Sequence, residues 1–68
     1  MFQILMKSDS AFNYCYQYFI DDVWDLRAEA HDSGSDERYV LARYMASWIP
    51  YEPYAERTIA RVRELADE

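Results

Sequence analysis

Ser10-Ala11-Phe12-Asn13-Tyr14-Cys15-Tyr16-Gln17-Tyr18-Phe19-Ile20-Asp21-Asp22-Val23-Trp24-Asp25-Leu26-Arg27-Ala28-Glu29-Ala30 is the stretch that decides the fold of this chain. Its apolar residues Phe12, Cys15, Phe19, Val23, Leu26 and Ala30 follow one another at steps of 3, 4, 4, 3 and 4. Such spacing places them along one side of an α-helix. Tyr16, Ile20 and Trp24 widen that stripe on one flank, and Ser8, Asp9 and Ser10 offer side chains to cap its start. The pattern predicts one helix over about 10–31.

Outward from this segment, Asp32-Ser33-Gly34-Ser35 holds the only glycine, and Pro50-Tyr51-Glu52-Pro53 holds both prolines. These residues stop helices, so they divide the chain into three. A second helix is expected over 36–48, with Leu41, Tyr44, Met45 and Trp48 inward, Ser35 as cap, and Asp36 and Glu37 at the positive end of its dipole. A third is expected over 53–66, with Pro53 in the first turn and Ala55, Ile59, Val62 and Ala66 inward, Thr58 and Leu65 alongside. Phe2–Met6 reads as an N-terminal arm or a short strand. The expectation is an all-α, compact three-helix domain over residues 1–68, with a small α+β fold as the alternative.

A chain of 68 residues buries only about 60% of the surface it exposes when unfolded, so small folds need dense packing or self-association. Twelve aromatic residues and a 51% hydrophobic content are enough to fill a core. The excess of aromatics also makes a homodimer an expected alternative assembly. With one cysteine no internal disulfide forms, and a lone Cys15 suits a reducing compartment. Met1–Lys7 lacks the pattern of a secretory leader, and no apolar run approaches the about 20 residues that span a bilayer. The expected location is cytoplasmic, with no membrane contact.

The net charge of −6 is gathered in residues 1–37, where eight acids face Lys7 and Arg27. The remainder balances five arginines against five acids. Direct nucleic-acid binding needs clustered cations and is disfavoured; a basic protein surface is the expected partner. On the predicted first helix, Asp21, Asp25, Glu29 and Asp32 follow at steps of 4, 4 and 3, with Asp22 beside them and Tyr14 and Tyr18 continuing the line. At 1.5 Å rise per residue, successive carboxylates stand roughly 5–6 Å apart, near the spacing of phosphates. Like charges at i, i+4 cost a helix about 0.2–0.5 kcal/mol, so a chain shaped by stability alone would intersperse cations. Two plainer readings stand beside this one: an ordinary solvated face, or acids neutralised within the fold by Arg57 and Arg61.

The chemistry of catalysis has little to draw on. Cys15 lies on the apolar stripe, and His31, the only histidine, falls at the end of the same predicted helix. No Gly-rich phosphate loop, nucleophile elbow or His-Glu-x-x-His pattern occurs. Asp21, Asp25 and Glu29 would suit Mg²⁺ or Ca²⁺ only with ligands converging from another element, and Asp32–Glu37 lacks the spacing of a calcium loop. No enzyme activity, metal or cofactor is expected.

In short length, aromatic richness, negative charge on one face and lack of a catalytic signature, the chain resembles the small acidic proteins that phages encode to disable host defences, the anti-CRISPR proteins. The resemblance implies a non-catalytic inhibitor, working in the host cytoplasm. It would bind a Cas protein or complex, either filling a basic nucleic-acid channel as a nucleic-acid mimic or blocking a protein surface. It transfers no residue roles.

Overall fold

The computed structural model of the chain describes residues 1–67 and is all-α. Five helices follow in order: α1 (Phe2–Lys7), α2 (Asp9–Tyr18), α3 (Val23–Ser33), α4 (Glu37–Trp48) and α5 (Ala55–Ala66). Short 3₁₀ turns at Ile20–Asp22 and Ile49–Tyr51 lead out of α2 and α4. The expected count of three is therefore corrected to five. Phe2–Met6 is neither arm nor strand but most of α1, and it packs on α4 and α2 with Leu5 fully buried. Among the described residues there is no strand, so the α+β alternative falls.

The predicted helix over 10–31 is broken. Phe19 leaves the helical range at φ −108°, ψ 32°, and its N–H closes α2 on the Cys15 carbonyl at 3.0 Å. The reason lies in dimensions. A continuous helix of 22 residues would be about 33 Å long, against about 18 Å for each 12-residue helix packed beside it. One of its ends would have had nothing to cover its apolar stripe. Breaking it lets α2 pack on α5 and α3 pack on α4. The stripe itself survives, with Cys15, Val23, Leu26 and Ala30 buried and Phe12 and Phe19 half-buried.

The ends of the helices follow local chemistry. Ser8 caps α2 by accepting from the Ala11 N–H at 3.2 Å. Gly34, at φ 71°, takes the left-handed conformation that ends α3, with its own N–H on the His31 carbonyl and the Ser35 N–H on that of Ala30. Asp36, rather than Ser35, caps α4, accepting from the Arg38 N–H at 2.8 Å. α5 begins at Ala55 rather than Pro53; the Glu52 carboxylate accepts from the Tyr54 N–H just before it and from the Thr58 hydroxyl within its first turn.

Leu5, Ala11, Cys15, Val23, Leu26, Leu41, Ala42, Met45, Ile49 and Val62 make the core, drawn from all five helices and the second 3₁₀ turn. Trp24 and Trp48, expected inward, are outside it: Trp24 is 72% exposed and Trp48 50%. Trp24 sits at the rim of the α3 stripe, and Trp48 is the last residue of α4.

Candidate partner-binding surface

The break between α2 and α3 redistributes the predicted row of acids and tyrosines. Tyr14 and Tyr18 remain on α2, Asp21 and Asp22 ride the 3₁₀ turn, and Asp25, Glu29 and Asp32 lie on α3. Val23, Leu26 and Ala30 turn one side of α3 into the core, which leaves Asp25, Glu29 and Asp32 exposed on the other. Asp21 and Asp22 are exposed as well. The row is therefore an acidic strip over a turn and a helix, with its tyrosines set apart on a different axis.

Those tyrosines serve the fold. Tyr14 is half-buried against the core. Tyr18 donates from its hydroxyl to Glu52 at 2.7 Å, tying the end of α2 to the corner before α5. This bond holds the Glu52 carboxyl below its ordinary range and, together with burial, pushes the Tyr18 hydroxyl up. Burial raises Tyr44 too, and the Asp22 carboxylate beside its hydroxyl adds to the shift.

Arginines do not neutralise the strip. Arg61 pairs with Glu64 at 3.1 Å, and Arg57 lies over the Tyr54 ring at 5.6 Å, so neither fills the role the sequence allowed. Arg27, on α3 itself, points away: it bonds Glu37 at 2.6 Å and the Tyr16 hydroxyl, and stacks on Tyr16 and Trp24. Glu29 and Arg43 both line a groove of about 490 Å³ between α3 and α4, yet they form no ion pair. Among the described residues, Asp21, Asp22, Asp25 and Glu29 have no cationic partner, and Asp32 has only the adjacent His31 at 3.7 Å.

Sequence reasoning missed a row of rings beside the acids. Tyr14, Tyr18, Phe19, Tyr44 and Trp48 follow one another with centroids 5.0–6.3 Å apart, running from α2 across to α4. Tyr14 and Tyr18, and Tyr44 and Trp48, stand four residues apart and pair along their own helices; only packing of α2 against α4 joins the two pairs, through Phe19 and Tyr44. Tyr51 and Tyr54, at the proline corner, are 83% and 62% exposed.

The groups considered for catalysis are far apart in character. Burial pushes the Cys15 thiol up to about 11, which leaves it protonated and inert, while His31 is exposed at the end of α3. Among the described residues, no three of the His, Cys, Asp and Glu side chains gather in a way that would hold a metal ion. No helix among them is long and apolar enough to cross a membrane. No protein-family model, curated protein or solved structure matches the chain.

Proposed function

We propose that this chain is a non-catalytic binding protein that docks the carboxylates of its Asp21–Asp32 strip on a basic surface of a partner protein. One observation carries the reading. Among the described residues, Asp21, Asp22, Asp25 and Glu29 have no cationic partner, although the chain has seven Lys and Arg residues and uses Arg27, Arg38 and Arg61 in ion pairs elsewhere. Exposed like charges lying side by side weaken a small fold slightly and raise the rate and selectivity of association with an opposite charge. A surface built to hold nucleic acid is the basic surface such a strip fits. The partner class is therefore a nucleic-acid-handling protein, and the role an inhibitor or modulator, as in anti-CRISPR proteins that act on Cas complexes. The place of action that goes with it is the cytoplasm of a host cell.

The experiment is capture of partners from a bacterial lysate by the tagged chain and by its Asp21→Lys, Asp25→Lys, Glu29→Lys variant, at low and high salt. A partner held by the wild type, lost by the variant and released by salt supports the docking. A partner held equally by both overturns it.

A second reading, a helical assembly module that forms a homodimer, draws on the exposure of Trp24, Trp48 and Tyr51. Sedimentation over a wide concentration range tests it, and a monomer throughout ends it.

A further inference from the structure

The chain shows how it handles arginine. Arg27 lies over the rings of Tyr16 and Trp24 at 5.2 and 5.3 Å while its edge bonds Glu37. Arg38 lies over Phe12 at 4.8 Å while bonding Asp9. The flat, weakly hydrated guanidinium stacks on a ring with its face and meets a carboxylate with its edge, which the compact, strongly hydrated ammonium of lysine does poorly. The ring row at the α2–α3 break offers both parts. Trp48 is half exposed, Tyr44 lies 6.0 Å from it and 6.2 Å from Phe19, and the exposed Asp22, whose N–H bonds the Phe19 carbonyl at 3.0 Å, joins the row there with Asp21 next along the chain. The arginines that stack on rings in this fold lie over Tyr16, Trp24, Phe12, Tyr39 and Tyr54, and none of them lies over this row.

We infer that the row is a docking strip for an arginine side chain presented by a partner protein, its guanidinium stacked on Trp48 and its charge facing the acidic turn of Asp21 and Asp22. The inference rests on the docking function proposed above and deepens it: the partner's basic surface is engaged through arginine, at the end of the acidic strip where rings adjoin it. The charge of the strip selects a basic partner, and the rings select arginine from among basic side chains.

Nona-arginine and nona-lysine, equal in charge, are the probes, titrated into the whole chain at low salt while the two tryptophan indole signals are followed by NMR. Nona-arginine is expected to bind about two- to five-fold tighter than nona-lysine and to shift the Trp48 indole more than that of Trp24. Trp48→Leu keeps an apolar side chain at a half-exposed site and should abolish the preference for arginine while leaving the charge-driven binding of both peptides. Equal binding of the two peptides, lost in the Asp25→Asn, Glu29→Asn, Asp32→Asn variant, would overturn the strip and leave the acidic docking standing. A preference for arginine that survives Trp48→Leu would also overturn it. Binding of neither peptide would overturn both.

Discussion

Where α1 and α2 meet α4, one charged side chain holds three elements together; along the outer side of α3, Asp25 and Glu29 hold nothing. Arg38 donates from Nη2 to the Leu5 carbonyl at 2.9 Å, pairs with Asp9 and lies over Phe12. That carbonyl is one of the last of α1 and has no partner within its own helix, so Arg38 satisfies a group that packing would otherwise strand. The outer side of α3 has exposed carboxylates that, among the described residues, form no ion pair with a lysine or arginine. Charge therefore stands differently on the two sides: on the first it closes the fold, and on the second it makes no Lys or Arg ion pair among the described residues.

The strongest way to break this contrast is to attack the closed side. Leu5→Ala removes a fully buried side chain from the helix that the sequence did not reveal, and should cost ~2–5 kcal/mol. For a chain of this size that is a large part of the total stability, and thermal melting should show loss or collapse of the transition. An unchanged melting curve would mean that α1 does not belong to the core. Arg38→Ala comes next, at about 1–3 kcal/mol, because it strands the Leu5 carbonyl as well as removing the ion pair. Urea titration would measure it, and Arg38→Lys should recover only part of the loss.

The Tyr18–Glu52 bond gives a pH dependence whose sign is set at both ends. The Glu52 carboxyl is held below its ordinary value of 4.5, so its contribution is present above that value and is lost as pH falls through the lower folded value. The Tyr18 hydroxyl is raised above its ordinary value of 10.0, so its contribution is present below pH 10 and is lost as pH rises through the higher folded value. Comparing melting of the wild type with Tyr18→Phe across both windows isolates the bond; if both proteins follow one pH curve, it does not contribute. The smallest effect sharpens the contrast from the open side. Asp25→Asn, Glu29→Asn and Asp32→Asn together should leave stability within about 0.5 kcal/mol of wild type, with any shift towards greater stability as like charges are removed. A large loss would show that these acids serve the fold.

Much of the helical content was legible because helical periodicity is local. Helices α4 and α5 appear in the sequence, with Leu41, Met45 and Val62 inward as the structure has them though Trp48 is not, as does the stop at Gly34, whose left-handed conformation suits glycine best. Two elements were not legible. α1 is six residues long, too short for a period to show, and it forms a helix because Leu5 has a core to enter and Arg38 a carbonyl to bond. The break at Phe19 carries no proline or glycine, and the apolar stripe runs on through the 3₁₀ turn. Of the candidate surface, the acids stood out by spacing, whereas the ring row did not, since Phe19 and Tyr44 meet only through tertiary packing.

By itself, then, the sequence determined an all-α chain with inward stripes on its helices and an excess of acid in residues 1–37, because apolar period and charge are properties of neighbouring residues. The tertiary structure alone decided where the long stripe breaks, which arginines close the fold, and which carboxylates are left without partners. Those outcomes depend on helices of unequal length having to cover one another around a single small core. No residue carries that information until its distant neighbours are in place.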